Sequence, residues 1–575
     1  MGFIQPNHPD LDLPTWRQGT RQERMKPLVR HFCEVGFGSP DAVTIVYLVK
    51  IVLYLLAGWG FVLTTPGVDG FTALSTWWDA PAVFYKFVLW TMLFEVLGLG
   101  CGFGPLNLRF TPPLGSFLYW LRPGTIRLAP WGNRVPLTGG DSRTVVDVAL
   151  YVVLVGSLFV AAWGALPRWQ VAVVLAALAV IGLRDKVIFL AARAEVYGTL
   201  AVTYLFIDSG VDAFIAAQLV MVAIWWGAAT SKVNQHFPFV VAAMESNSPV
   251  WRSKRIKRLF HQDFPEDLRP SALSRALAHG GTVFEYGVPL LLLLGDGGIV
   301  TKVAAVGMLA FHFHILSSLP MGVPLEWNVF MMIGIVNLFV GGAEVGITDL
   351  TDPVPVVLLM VVVVGTVVIG NLYPDKVSFL PAMRYYAGNW DTSMWAFRGD
   401  APLEKMDQNL VKASLMPHQQ LQKVYGDDDM VALTMNLGYA FRGMHTHGRA
   451  LFALIARACG PEHEDYFVID GEMVAGTALG WNFGDGHLHD ERLAAALQKR
   501  CHFEPGEVRI VMLEAQPFTL PFLREATQRY RLVDPAVGVL EEGYVNVADM
   551  VTRQPTDVDI PIHVTSSTTT PLPTA

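Results

Sequence analysis

The chain has 575 residues, 52% of them hydrophobic and 16% charged, with a mean hydropathy of +0.39 and a formal net charge of −8. Soluble globular proteins carry about a quarter charged residues, so composition excludes a string of ordinary soluble domains, and the acidic balance gives nucleic acid no footing. The four cysteines, Cys33, Cys101, Cys459 and Cys501, have neither the grouping of a disulfide framework nor the spacing of a zinc site.

Residues 1–41 read as a basic cytoplasmic segment with Arg17, Arg21, Arg24, Lys26 and Arg30. No basic stretch followed by an apolar core opens the chain, so no cleaved signal peptide is expected. Pro6 stands where a myristoylation site has Ser or Thr. Apolar runs follow at about 42–63 and 82–104, the second with Glu95 in its middle. Residues 105–143 are rich in Pro, Gly and Arg; within them Ser116–Trp120 is too short to span and suits a re-entrant or interfacial position. Further runs at about 144–165, 169–183, 187–207, 212–230, 281–295, 299–318, 325–341 and 354–373 bring the expectation to about ten transmembrane helices in a bundle over residues 42–373. The polar stretch 234–278, with WRSKRIKRLFHQDF, is read as the longest loop of this half. Lys/Arg-rich loops alternate with acidic or neutral ones along these runs, which places both termini in the cytoplasm.

Residues 374–400 read as an aromatic juxtamembrane linker, 401–560 as a soluble α+β domain and 561–575 as a disordered tail. Within the domain, VALTMNLGYAF and ALFALIARAC fit helix or buried strand, YFVIDGEMVAGTALGW fits a hairpin turning at Asp470-Gly471, DERLAAALQKRC a helix, GEVRIVMLEAQPF a strand and LPFLREATQRYRLV a helix. The expected fold class is an all-α polytopic membrane bundle, N-in and C-in, carrying a small α+β cytoplasmic C-terminal domain.

Charges in spanning helices cost several kcal/mol unless they are paired or face a cavity. Arg193, Glu195, Asp208 and Lys232 are therefore candidates between 185 and 246, although Lys232 can also snorkel to headgroups and Arg193 can be neutralised by Glu195. His279, Glu285, His312, His314, Glu326 and Asn328 gather in the later spans; each histidine can equally make an interhelical hydrogen bond. His312 and His314, two apart on a helix, are expected to face different directions, and His312 to approach Glu326. In the soluble part, His487 and His489 would point the same way on an extended strand and are weak metal candidates, as are His445 and His447; a polar surface loop is the plainer reading. The run Glu462-His463-Glu464-Asp465 reads as solvated surface. No nucleophile elbow, Walker loop, dinucleotide fingerprint or HExxH is present.

Four stretches, DK…YGTLAVTYLFID, AATSKVNQHF, HGGTVFEYG and FHFHILSSLPMGV, resemble in order and spacing the vitamin K-dependent gamma-carboxylase superfamily, which includes the bacterial horizontally transferred transmembrane (HTTM) proteins. The resemblance covers residues 40–340; the whole chain is also similar to an uncharacterised actinobacterial membrane-protein family. It implies a carboxylase-like bundle and gives Lys232 the place of a lysine that deprotonates a reduced quinone. An amine at the edge of an apolar helix loses hydration, so its neutral form can act as a base. Ala192-Arg193 stands where the carboxylases have Asn-His, which argues against protein carboxylation. The functional expectation is an integral membrane protein acting on a lipid or a reduced isoprenoid quinone. Lys232 would be the base, His279 and His312 polar partners, and Arg193, Glu195 and Glu326 substrate contacts. The alternative is a non-catalytic scaffold or accessory subunit of an envelope or respiratory complex. A transporter is the weakest reading, for want of paired repeats.

Overall fold

In the computed structural model of the chain, the described residues are 3, 5–102, 115–132, 134–318, 325–481, 486–519 and 525–568; for 325 and 326 the description covers the backbone. Among them, six helices are long and apolar enough to cross a bilayer: α1 (Asp41–Val62), α2 (Val145–Ala162), α3 (Gly210–Ser231), α4 (Ala272–Leu294), α5 (Ile299–Ser318) and α6 (Pro353–Leu372). Hydrocarbon offers backbone groups no water to bond, so an apolar run must close its hydrogen bonds internally, as a helix does.

The other four expected runs take different forms. Residues 82–104 give a 16-residue helix, Pro81–Val96, buried on every side from Val83 onward. Residues 169–183 give the 17-residue helix Arg168–Arg184. The run 187–207 breaks at Arg193, whose left-handed φ of 47° separates Lys186–Ala191 from a π-helical turn, Ala194–Gly198, that leads into Thr199–Phe206. The run 325–341 starts as the helix Leu325–Gly334 and widens into a second π turn, Ile335–Gly341. Burial sorts the spans: 83% of the α3 window is inside the protein and 17% of the valine-rich α6 window. Thus α3 and Pro81–Val96 form the centre, and α6 lies at the edge.

After Tyr373 comes a six-stranded antiparallel sheet in the order β2-β1-β3-β4-β5-β6, built from β1 (Thr392–Arg398), β2 (Tyr466–Asp470), β3 (Val508–Leu513), β4 (Thr527–Asp534), β5 (Gly538–Asn546) and β6 (His563–Ser567). Several expectations change here. Strand β1, central in the sheet and buried from Thr392 to Phe397, lies inside the segment 374–400 expected as linker, and β6 lies in the segment expected as disordered tail. There is no hairpin at Asp470-Gly471: the Asp470 carboxylate accepts the N–H of Glu472 and starts the helix Gly471–Leu479. The stretch TQRYRLVD is strand β4 rather than helix, its side chains alternating between more open and buried positions from Thr527 to Leu532. The segments VALTMNLGYAF, ALFALIARAC and DERLAAALQKRC are helical, within Asp428–Met444, Thr446–Cys459 and Glu491–Cys501.

The N-terminal segment folds onto this sheet domain. Its helix Arg21–Val35, opened by a capping box of Thr20 and Glu23, packs along Asp428–Met444. Phe32 and Phe37 meet Phe441, and the backbone N–H of Arg21 donates to Glu464 at 2.9 Å. The run Glu462–Asp465 is largely exposed, as expected, with Glu464 making this contact and Glu462 pairing with Arg398 inside the sheet domain. Both ends of the chain thus gather on one face of the bundle. The short helix Gly115–Trp120 is a docking piece: Ser116 Oγ donates to Gly480 O at 2.5 Å and Trp120 Nε1 to Leu479 O at 2.8 Å.

Candidate functional site

A cavity of about 450 Å³ opens at the end of the bundle nearest the sheet domain. Its wall is mostly apolar. Trp225 and Ala228 come from α3, Gly280, Gly281 and Phe284 from α4, Phe311 and Ile315 from α5, and Val241 and Met244 from the helix Phe237–Asn247. That last helix lies in the stretch 234–278 read as polar loop, and it closes the cavity. Neither Gly280 nor Gly281 of α4 places a side chain in the space.

Polar groups enter the cavity at a few points. Lys232 follows the last turn of α3, and its ammonium donates to Glu285 Oε2 of α4 at 2.5 Å; both residues are buried, 8% and 3% exposed. Each has this single ionic partner among the described residues. The ammonium keeps hydrogens to donate, and the second carboxylate oxygen keeps its lone pairs. At the rim, His314 Nε2 donates to Glu245 Oε1 at 2.8 Å, and Trp251 Nε1 donates to Glu245 Oε2 at 2.5 Å. Tyr385 and Tyr386 complete that end.

His312 also lines the cavity, with both ring nitrogens engaged. Trp225 Nε1–H donates to His312 Nε2 at 2.9 Å, so Nδ1 carries the hydrogen and donates to Asn328 Oδ1 at 2.9 Å. Although two apart on the helix, His312 and His314 both line this cavity, which reaches round the end of α5.

The other candidates separate. His279 faces a second hollow, of about 640 Å³, with Arg269, Arg275, Gln262 and Tyr286; Lys232, His279 and His312 therefore do not share one cavity. Arg193 reaches the cavity wall, and its Nε donates to Glu95 Oε1 at 3.0 Å, a partner 98 residues earlier. Its guanidinium carbon stands 5.5 Å from the Trp327 ring centroid. Glu195, half-buried on the next turn, is not in the wall. Asp208 pairs with Arg168 at the surface. The side chain of Glu326, and with it the expected approach to His312, lies outside the described residues; Asn328, two positions on, bonds His312.

In the sheet domain His487 and His489 flank a tight turn, Gly486–Leu488, and diverge. His487 Nε2 lies 3.0 Å from Glu514 Oε1, whereas His489 Nδ1 bonds Ser393 Oγ at 2.6 Å. The extended-strand premise was wrong, so the two do not converge on one ion. His445 and His447 are buried under the domain and stack on each other. Burial lowers His445 to about 3, and burial together with the Arg442 guanidinium lowers His447 well below the ordinary imidazole range. Arg442 donates to His447 Nε2 at 3.0 Å and to Asp470 at 2.7 Å. Burial raises Glu472 beside it to about 7. This group is a packed polar core, not a metal site.

Sequence reasoning missed Glu245, Trp251, Tyr385 and Tyr386 as cavity residues. They lie in segments read as loop and linker; for Glu245 the apolar run FPFVVAAM just before it was the available signal.

A multi-helix membrane bundle with an apolar, sparsely polar cavity under a compact sheet domain defines the class: a multi-pass transmembrane protein with room for a hydrophobic guest. The family comparison agrees. The chain belongs to the family described as "Transmembrane protein of unknown function (DUF3556)", whose model matches residues 1–565. A link to the carboxylase or HTTM group is not shown by that match. No curated protein and no solved structure matches the chain.

Proposed function

We propose that the protein binds a lipid or isoprenoid compound in the cavity between α3, α4 and α5, with an oxygen-bearing head group against Lys232 and Glu285. The observation that carries this reading is the composition of that wall: a buried acid–base pair with unused hydrogen-bonding capacity, Lys232 and Glu285, in a mostly apolar enclosure. Apolar surface with a few convergent polar groups is the usual form of a small-molecule site. A reduced isoprenoid quinone suits it chemically. A ring hydroxyl would donate to the second Glu285 oxygen, and a neighbouring oxygen would accept from the Lys232 ammonium. Proton exchange with such a guest would run through this pair, so the base role expected of Lys232 alone is shared with Glu285. The motif resemblance to the carboxylase group supports the same position of the lysine, not carboxylation. The basic loops support a cytoplasmic face for the sheet domain and a place in the cell membrane.

A non-catalytic scaffold or accessory role is favoured by one observation, the saturation of both His312 nitrogens. The two readings part on occupancy. A Cβ added at Gly280 meets nothing within 4 Å, so Gly280→Phe can fill the cavity without a backbone clash. Native mass spectrometry and solvent extraction of the full-length protein in mild detergent are expected to find a bound isoprenoid or lipid in the wild type, and roughly tenfold less in G280F at an unchanged Tm. Equal bound lipid in the two proteins would reject the site.

A further inference from the structure

Away from the membrane cavity, three side chains from distant parts of the sequence converge. Asp391 stands immediately before β1, Glu514 immediately after β3, and His487 on the tight turn Gly486–Leu488. Strands β1 and β3 are antiparallel neighbours with Thr392 opposite Leu513, so the sheet register delivers the two carboxylates side by side. His487 Nε2 lies 3.0 Å from Glu514 Oε1 and 3.8 Å from Asp391 Oδ2, and one ligand atom from each of the three falls within 4.8 Å of the others.

We propose that Asp391, His487 and Glu514 bind one divalent transition-metal ion. Two buried carboxylates held together repel unless a cation stands between them, and both acids are buried, 3% and 5% exposed. Of the cations nearby, Arg492 pairs with Asp490, and Arg531 pairs with Glu491 and lies 3.9 Å from Glu514 Oε2. The backbone makes room for it as well: a Cβ at Gly486 would sit 2.7 Å from an Asp391 carboxylate oxygen and 2.6 Å from its carbonyl carbon.

The donor set indicates the ion. Bonds of about 2.0–2.2 Å to nitrogen and oxygen put tetrahedral ligand atoms somewhat over 3 Å apart, which these side chains reach with sub-ångström movements. One imidazole with two carboxylates suits Zn²⁺, Mn²⁺ or Fe²⁺; ligand sets for Mg²⁺ and Ca²⁺ are all oxygen. Three protein ligands leave a coordination position for water. The ion would also brace the junction with the membrane. Asn389, two residues before Asp391, donates to Ser231 O at the end of α3 at 3.3 Å, and Gln516, two residues after Glu514, bonds His236 at 2.8 Å.

The test uses full-length protein in detergent, stripped with a chelator and then given ZnCl₂ or MnCl₂. Elemental analysis after desalting should find one ion per chain, and the thermal transition should rise with ion concentration, as ligand linkage requires. D391N and E514Q, which keep side-chain shape, should each weaken binding roughly tenfold or more and raise the Tm of the metal-free protein by relieving the repulsion. His463→Gln, a partly exposed histidine of the same domain, should leave binding unchanged. A stripped wild type that takes up neither ion at micromolar concentration overturns the proposal, a reading that does not depend on the variants folding. So does a metal-free D391N less stable than the metal-free wild type, which would mark the trio as an ion pair on a protonated His487.

Discussion

Two acid–base pairs cross the interior of the bundle, one joining Arg193 to Glu95 and the other Lys232 to Glu285, and their surroundings differ. Glu95 accepts from Arg193 on one oxygen and from the Cys101 N–H on the other at 2.9 Å. The chain closes over it so tightly that a Cβ at Gly100 would stand 2.4 Å from its carboxylate. Arg193 in turn sits under Trp327 and is held by a left-handed backbone turn. Such a pair is fully engaged by the protein. Lys232 and Glu285 meet at one contact beside open space. Charge inside a membrane protein therefore does not by itself mark a site; spare valence next to a cavity does.

The sharpest way to break this distinction is to truncate the engaged pair. Glu95→Ala leaves a buried guanidinium without its counter-charge, a loss of about 3–5 kcal/mol, so folded protein recovered in detergent should fall steeply and its Tm with it. Glu285→Gln keeps an acceptor for Lys232 and has the cavity to relax into. A smaller cost is expected, about 1–3 kcal/mol, together with loss of the bound hydrophobic guest. If Glu95→Ala proved the milder of the two, the assignment of structural and functional pairs would be reversed.

The contrast also explains what the sequence could reveal. The apolar runs were legible because bilayer-length hydropathy survives in any context, and Lys232 and His312 stood out as polar residues within them. Arg193 was legible as a charge but not in its role, because its partner lies 98 positions away and its left-handed turn leaves no pattern in a single sequence. About ten spans were expected, and six of the described helices are long and apolar enough to cross a bilayer: Pro81–Val96 and Arg168–Arg184 are 16 and 17 residues long, and hydropathy alone does not register a break at Arg193 or a π turn at Ile335–Gly341. Strand β1 was hidden in an aromatic stretch that also suits a membrane surface. At Asp470-Gly471 the side chain caps a helix where a hairpin turn was expected, a choice that depends on what packs around the dipeptide. Glu245 escaped notice because its short helix is flanked by a basic stretch that reads as loop.

Acid should separate the sheet domain from the cavity. His236 and His445 are buried neutral, lowered by burial to about 4 and about 3. Their folded values lie below the unfolded value of about 6.5, so their contribution is fully present above 6.5 and is lost as pH falls towards the folded values. At pH 5 each should cost about 2 kcal/mol relative to pH 7. Thermal melts between pH 7.5 and 5 should show this loss, and the double variant H236Q/H445Q should flatten it. An unchanged slope in that variant would show that other groups govern acid stability.

The smallest effect is expected where the cavity touches a saturated group. Trp225→Phe removes the N–H that donates to His312 Nε2 and leaves that nitrogen as an acceptor on the cavity wall. An acceptor stranded in a packed core costs about 1–3 kcal/mol. Here water or a guest hydroxyl can take the vacant place, so the loss should fall near the low end, about 1 kcal/mol. The same change gives the cavity a third hydrogen-bonding point beside Lys232 and Glu285, so a hydroxyl-bearing isoprenoid should be retained more strongly than one without an oxygen. Comparing the two ligands on wild type and W225F by native mass spectrometry reads this preference directly. No change in preference, with a stability loss at the upper end, would mean that His312 belongs with Arg193 among the sealed groups.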